Sequence, residues 1–285
     1  MELHKIVKIT NFREAIMQFT ETVTVKIPNL TKSYTFLHLS DAHVAYAAQD
    51  EDDAAKALAA QQTKAWMHGD IPPVNVFETV LAEAKDAGID AILMAGDCID
   101  YYSEGNAAYM RKHLPVCGTE VLYAAGNHEY GSYTAKAVDR AQAAADLAPV
   151  MMGTPDFWVR DFGEFLVIGV DDSTQHVRPE QVEKMKEQIA RGLPILLLMH
   201  IPMRTPAIEP SVMKVWGTTF MIGTDEDPDS TKEFCELVKN AENVAAVLAG
   251  HIHYAHTGEF APGRMQYVSA PAFTGFLRKV IIEKA

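Results

Sequence analysis

Five short apolar segments constrain the fold of this 285-residue chain, because a residue with a metal-binding side chain follows each of them closely. The segments are residues 34–39, 91–95, 121–124, 195–199 and 244–248. Turn-forming residues bound each one, as is typical of a buried β-strand. In α/β sheets, functional residues collect at strand ends. The pattern therefore predicts that the five segment ends form one site.

Helix-like segments alternate with these strands. The predicted helices cover 51–67, 74–86, 132–147, 179–191 and 229–240, and further predicted strands cover 23–27, 264–270 and 276–282. Ser132, Asp229 and Ser230 are candidate helix caps, and Pro179 suits a first helical turn. The β-α-β order without an internal repeat predicts an α/β protein built in layers. At this length we expect one domain spanning 1–285.

The formal net charge of −13 limits the partners of the chain. Binding to a nucleic acid duplex or an anionic membrane depends on clustered lysine and arginine, so both are disfavoured. The odd set Cys98, Cys117 and Cys235 predicts reduced thiols rather than disulfides. Charged residues at positions 5, 8, 13 and 14 interrupt the first apolar residues, so no secretory segment is visible and a cytoplasmic location is expected.

Two histidine-containing triplets offer paired metal ligands. Asp41 and His43 are two residues apart, so in an extended strand both side chains would point to one side and could bind one cation. His251 and His253 have the same spacing, and Gly250 permits a close approach of the backbone. An Asp-x-His triplet alone is weak evidence for a metal site, whereas His-x-His is a moderate signal.

Three further residues add different ligand types. The carboxylate of Asp97 could bridge two cations, Asn127 offers an amide oxygen, and His200 follows an apolar strand. Each has an alternative reading, namely a turn for Gly-Asp and Gly-Asn and a structural histidine for His200. Their combination at five strand ends favours a two-metal hydrolytic site. The ligand set suits Mn, Fe or Zn. Because the candidates include no cysteine, a cysteine-rich structural zinc site is excluded.

The order of these motifs resembles the calcineurin-like metallophosphoesterase superfamily. That pattern consists of five motifs in order: D-x-H, G-D-x-x-(D/N), G-N-H-(D/E), a single H, and G-H-x-H. The match covers Ser40 to Tyr254. The resemblance implies a four-layer α/β/β/α sandwich of two mixed sheets flanked by helices. It also implies one metal on Asp41, His43 and His253, a second on Asn127, His200 and His251, and Asp97 as the bridge.

The resemblance further implies how such a site works. A hydroxide that bridges the two metals would attack phosphorus. His128 would stabilise the transition state or protonate the leaving oxygen, and Asp100 would orient His128. Asp100 could equally be a surface loop carboxylate. Glu129 is expected to accept hydrogen bonds rather than to bind metal.

Two differences from the motifs of known subfamilies limit the expected class of substrate. Tyr101 and Tyr102 follow Asp100, where Ser/Thr protein phosphatases carry an arginine, and purple acid phosphatases have a tyrosine ligand where Asp100 stands. We therefore expect a phosphomonoester or phosphodiester of a small molecule or nucleotide as the substrate. A non-catalytic metal-binding scaffold of the same fold and a nuclease are the alternatives.

Substrate contacts are expected in residues 201–229, a segment that could overhang the metals. Arg204 could bind a phosphate, Trp216 could contact a base or an apolar leaving group, and Tyr130 could line the pocket. Alternatively, the segment packs on the outside of the sheet with Trp216 buried. The remaining histidines are expected to be structural or on the surface: His4, His38, His68, His113, His176 and His256.

Overall fold

The structure is a computed structural model that describes residues 21–84 and 87–285. The strands of these ranges are β1 (Glu21–Ile27), β2 (Tyr34–Leu39), β3 (Ala91–Ala95), β4 (Glu120–Ala124), β5 (Phe157–Asp161), β6 (Leu166–Val170), β7 (Ile195–Leu198), β8 (Val244–Ala249), β9 (His256–Ala261), β10 (Arg264–Val268) and β11 (Arg278–Lys284). The helices are α1 (Asp53–Ala65), α2 (Pro73–Ala84), α3 (Glu104–His113), α4 (Arg140–Leu147), α5 (Pro179–Ala190), α6 (Glu209–Trp216) and α7 (Asp229–Asn240). The predictions made for His4, Asp86 and the charged positions 5, 8, 13 and 14 lie outside the described residues.

Two mixed sheets form the centre of the fold. The first has the strand order β1-β11-β2-β3-β4, and the second has the order β5-β6-β7-β8-β10-β9. Neighbours β2, β3 and β4 are parallel, as are β6, β7 and β8. The C-terminal ends of parallel strands lie at one edge of each sheet, so the residues after β2, β3, β4, β7 and β8 can converge.

An apolar layer separates the two sheets. Leu93 and Leu122 of the first sheet pack in one buried cluster with Leu196 and Leu248 of the second. The Trp158 indole donates a hydrogen bond of 2.9 Å to the carbonyl oxygen of Tyr123, which joins β5 to β4. Position 169 must be glycine, because a Cβ there would lie 2.0 Å from the Trp158 ring.

Helices cover the outer face of each sheet. Apolar residues of α2, α3 and α4 form a core with the first sheet, and those of α5, α6 and α7 form a core with the second. The predicted four-layer α/β/β/α sandwich is therefore confirmed. No helix within the described ranges is long and apolar enough to cross a membrane.

The predicted helix caps are wrong in two places. Residues 132–139 are not helical; α4 begins at Arg140 because the Asp139 carboxylate accepts hydrogen bonds from the amides of Ala141 and Gln142. Pro228 occupies the N-cap position of α7, and Ser230 donates instead to the carbonyl of Val177. The sequence reasoning also missed α3, α6, β5, β6 and β9.

Candidate active site

The ends of five strands bring the predicted ligands together. Asp41, His43 and His253 have side-chain atoms within 4.8 Å of one another, and Asp97, His200 and His251 form a second such group. These groups contain all the ligands that the sequence implied except the amide of Asn127, with Asp97 in the second group. A further group joins His43 to Asp100 and His128.

In the first group, two imidazole nitrogens face each other. His43 Nε2 lies 3.1 Å from His253 Nε2, which lies 3.3 Å from Asp41 Oδ1. The other ring nitrogen of His43, Nδ1, donates to Asp100 Oδ1 at 2.9 Å. Because Nδ1 carries the hydrogen, Nε2 of the neutral ring presents its lone pair to the group, as a metal ligand does.

The second group repeats this arrangement. His200 Nε2 lies 3.0 Å from Asp97 Oδ2 and 3.1 Å from His251 Nδ1, while His200 Nδ1 donates to the carbonyl of Ala95 at 2.8 Å. Buried Asn127 Oδ1 has no hydrogen-bond partner among the described residues. Buried acceptors without donors are costly, and a cation would satisfy both this oxygen and the facing lone pairs. The residues therefore fit two metal ions.

The burial of these groups shapes their pKa values. Burial raises the pKa of Asp97, but the charges of His200, His128 and His43 outweigh it and hold the pKa far below its ordinary value. Burial also lowers the pKa of His200, yet Asp97 and Asp41 raise it to about 10. His251 has its pKa lowered to about 3 by burial and by the charge of His200. The protein alone thus holds the Asp97 carboxylate ionised despite its burial.

The ligand backbone differs from the predicted extended strands. Asp41, His43, Asp97, His251 and His253 all have positive φ angles, between 46° and 71°. Only three other non-glycine residues in the described ranges do so. Each such residue costs about 1–3 kcal/mol, and the cost is borne where function requires the geometry. Consequently His251 and His253 do not share one side but enter different groups.

A buried carboxylate holds part of this strained backbone. Glu129 accepts hydrogen bonds from the amides of Asp97, Cys98, Ile99 and Gly126, and from the Tyr123 hydroxyl. The expectation that Glu129 accepts hydrogen bonds is confirmed. Gly126 is needed for close approach rather than for a sharp turn, because a Cβ there would lie 2.3 Å from Asp97 Oδ1.

Asp172 anchors the backbone after β7 in the second sheet, although the sequence analysis did not single it out. Its fully buried carboxylate follows β6 and accepts from the amides of His200 and Ile201 at 3.1 and 2.8 Å. Burial raises the pKa of Asp172 to about 7. A buried carboxylate two residues after an apolar strand is the signal that could have identified it.

Replacement of Glu129 by Gln is expected to loosen the loops. The amide group would turn an NH₂ donor toward backbone N–H donors, leaving buried groups unpaired at a cost of about 1–3 kcal/mol. We expect urea denaturation to show that loss in the free energy of unfolding, and metal titration to show affinity about 10–100-fold weaker. Tyr123→Phe, which removes one of the five hydrogen bonds, should cost less in both assays. Unchanged metal affinity in Glu129→Gln would contradict this role.

His128 is held with one ring nitrogen free. Nδ1 donates to the Asp100 carbonyl oxygen at 2.5 Å, and Nε2 lies 3.9 Å from Asp97 Oδ2. Burial lowers the pKa of His128, but the hydrogen bond that it donates to Asp100 and the charge of Asp97 raise it to about 9. Asp100 is fully buried, so its alternative reading as a surface loop carboxylate is wrong. It contacts both His43 and His128.

Two aromatic residues that sequence reasoning missed also bind Asp100. The Trp66 indole donates to Asp100 Oδ1 at 2.7 Å and stacks on His43 with ring centroids 4.2 Å apart. The Tyr133 hydroxyl lies 3.3 Å from the same oxygen. Neither residue adjoins a metal-binding motif, so no local signal in the sequence marked them.

The three candidate substrate residues lie in different surroundings. Arg204 forms ion pairs with Glu209 and Asp225, and the guanidinium of Arg140 covers the Tyr130 ring at 3.7 Å. Trp216 is 40% exposed, at the end of α6, and its ring centroid lies 6.2 Å from that of His253. The alternative reading of a buried Trp216 is therefore wrong, while substrate binding by these residues stays a prediction.

Of the other histidines, two have notable surroundings. His38 is buried, with Nδ1 3.4 Å from Arg278 Nη1, which fits a structural role. His256 lies in β9 opposite Val268, away from the two ligand groups. Both observations agree with the structural reading that the sequence favoured.

Comparisons with known proteins place this geometry in context. A dimetal phosphatase from Danio rerio has a similar fold, with a TM-score of 0.51 and 12% identity over 85% of this chain and 88% of that chain. A purple acid phosphatase from yellow lupin (Lupinus luteus) has a TM-score of 0.51 and 15% identity over 88% of this chain, which spans only 46% of that chain.

In sequence, the chain is similar to a cAMP/cGMP dual specificity phosphodiesterase of Mycobacterium tuberculosis. The two are 26% identical over 265 residues, which cover 85% of this chain and 68% of that protein. The family model for calcineurin-like phosphoesterases matches residues 34–255, a range that includes all seven candidate ligands. The chain therefore belongs to the calcineurin-like phosphoesterase family and is a hydrolase of phosphoric esters.

Proposed function

We propose that the protein is a metal-dependent hydrolase of small phosphodiesters. The observation that carries this proposal is the pair of facing-histidine groups, one of which contains Asp97, with His128 beside Asp97. Asp41, His43 and His253 would hold one cation, and Asn127, His200 and His251 the other, with Asp97 between them. The ligand types favour Mn, Fe or Zn.

Bound in these groups, two cations would supply an activated water and neutralise charge on the phosphoryl oxygens. In the reaction, the water oxygen bonds to phosphorus, and the bond from phosphorus to the leaving oxygen breaks. His128 would be the proton donor: its Nδ1 is held by the Asp100 carbonyl oxygen, so Nε2, 3.9 Å from Asp97 Oδ2, is the atom that would donate a proton to the leaving oxygen. The proton that the water releases returns to the histidine through solvent.

A diester is favoured over a monoester by the charges around the site. At neutral pH a monoester carries up to two negative charges and a diester one. Among the described residues, the ion-pair partners of Asp41, Asp97 and Asp100 are histidines, and Arg204 is already paired with two carboxylates. The phosphodiesterase activity in the name of the Mycobacterium tuberculosis relative supports the same substrate class.

Other predictions from the sequence are kept as part of this proposal. A small phosphorylated molecule remains the expected partner, because the net charge of −13 disfavours a nucleic acid duplex. The single domain over 1–285 and the cytoplasmic location also stay predictions. A non-catalytic scaffold is the competing function, and the complete ligand set together with His128 argues against it.

The proposal is tested with chelated protein reloaded with Mn, Zn or Fe. We expect bis-p-nitrophenyl phosphate to be hydrolysed only after reloading, and with a higher kcat/KM than p-nitrophenyl phosphate. A faster monoester reaction would overturn the diester assignment. Stoichiometric metal binding without hydrolysis of either ester would favour the scaffold.

A further inference from the structure

Four aromatic rings lie beside the two partly exposed histidines of the ligand groups, His251 and His253. Trp66, Trp216 and Phe273 have centroids 5.3, 6.2 and 5.9 Å from that of His253, and Phe220 lies 5.1 Å from His251. We call these four residues the aromatic rim. They come from three separate parts of the chain: the end of α1, the α6 region and the loop before β11.

The rim is held in place before any substrate binds. The indole N–H of Trp216 donates to the carbonyl of Ile252 at 2.9 Å, and that of Trp66 donates to Asp100. The rings also pair with each other, since Trp66 lies 5.2 Å from Phe273 and Trp216 lies 5.2 Å from Phe220. Rings that are already ordered lose little conformational entropy when a ligand stacks on them.

The rim offers apolar surface without formal charge. Trp216 is 40% exposed and the other three rings are partly exposed, so a substrate could reach them. Exposed aromatic faces beside a buried polar site are typical of ligand pockets. A flat, uncharged group can stack on such rings, whereas a second phosphate would find no charge complement in the rim.

In the described part of the chain, His128 has no ring contact with the rim. Its ring contacts His43 at 4.6 Å and Tyr133 at 6.2 Å. A small cavity of about 100 Å³ there is lined by Asp100, Asn127, His128 and Tyr133 among others. If His128 protonates the leaving oxygen, the leaving group lies beside this cavity, and the rim is left for the substituent that stays on phosphorus.

We propose that the aromatic rim determines specificity by binding a flat, uncharged substituent that the phosphodiester keeps after hydrolysis. This inference rests on the proposed function. An aryl group and a nucleobase share the required chemistry. The test must therefore vary the retained substituent while the leaving group stays constant.

The experiment uses metal-loaded protein and three diesters that all release p-nitrophenolate. Their retained substituents are methyl, phenyl and thymidine 5′. We expect kcat/KM for the phenyl ester to exceed that for the methyl ester at least about fivefold, the lower end of what one stacking contact contributes. A thymidine ester faster than the phenyl ester would identify a nucleobase as the substituent, and a slower one would identify a small aryl group.

Variants locate the effect in the rim. Trp216→Ala and Phe273→Ala should each reduce the phenyl-to-methyl ratio about fivefold or more. Trp216→Phe keeps a ring and should restore most of the ratio. Val215→Ala is the matched control, because Val215 is 58% exposed beside Trp216 in α6 and lies outside the rim. Thermal unfolding of each variant checks that the fold is retained.

The outcomes separate this inference from the proposed function. Equal kcat/KM for the phenyl and methyl esters in the wild-type protein would overturn the inference while diester hydrolysis stands. So would a ratio that neither alanine variant changes. Lack of metal-dependent hydrolysis of all three esters would overturn the proposed function and this inference with it.

Discussion

Replacement of Asp97 by Asn is expected to reduce diester hydrolysis by on the order of 10³-fold or more, since metal ions supply several kcal/mol of transition-state stabilisation. Asp97 is 2% exposed and lies beside both His200 and His128. Asparagine keeps the shape of the side chain but removes the negative charge that would bridge two cations. We therefore expect metal analysis to find fewer than two ions bound per chain.

Asp70→Asn is the matched control for this substitution. Asp70 is exposed and lies in the loop between α1 and α2, so its loss removes the same charge from the protein without touching the site. Wild-type turnover by Asp97→Asn at saturating metal would contradict the bridging role.

Replacement of His128 by Ala is expected to slow turnover by roughly 10²–10⁴-fold, the usual contribution of a general acid or base. His128 belongs to neither of the two groups proposed to hold the cations, and its side chain is 24% exposed, whereas that of His200 is buried. Both metal ions should therefore stay bound in the variant. The combination of retained metal and lost rate distinguishes His128 from the ligands.

His176→Ala is the matched control for His128→Ala, because His176 is exposed between β6 and α5. Substrates with leaving groups of lower pKa need less help from an acid. The loss in His128→Ala should thus be smaller for bis-p-nitrophenyl phosphate than for an alkyl diester. An equal loss with both leaving groups would contradict proton donation.

The five strands that lead into the site could be predicted because a buried apolar strand followed by a metal-binding side chain has a simple sequence pattern, whereas β6, which is equally buried, was missed. All six residues of β2, for example, are buried or partly buried and apolar apart from Thr35 and His38. The convergence of Asp41, Asp97 and His200 then follows from the parallel arrangement of the strands that precede them. The same logic failed for helix starts such as Ser132, since several polar residues in that loop could each cap a helix.

Backbone strain and long-range contacts could not be predicted in the same way. Asp-x-His spacing carries no information on φ, so the positive φ angles of Asp41 and His43 appear only in the structure. Trp66 reaches Asp100 across 34 residues, and Asp172 reaches His200 across 28. Such contacts depend on how the two sheets and α1 pack, which no local pattern in one sequence determines.

The most direct test of the two-metal account is to titrate metal-free protein with Mn²⁺ while measuring both bound metal and the hydrolysis of bis-p-nitrophenyl phosphate. The account predicts two ions per chain, with turnover appearing as the second ion binds, since the two histidine groups each hold one. Full turnover with one ion bound, or with none, would contradict it.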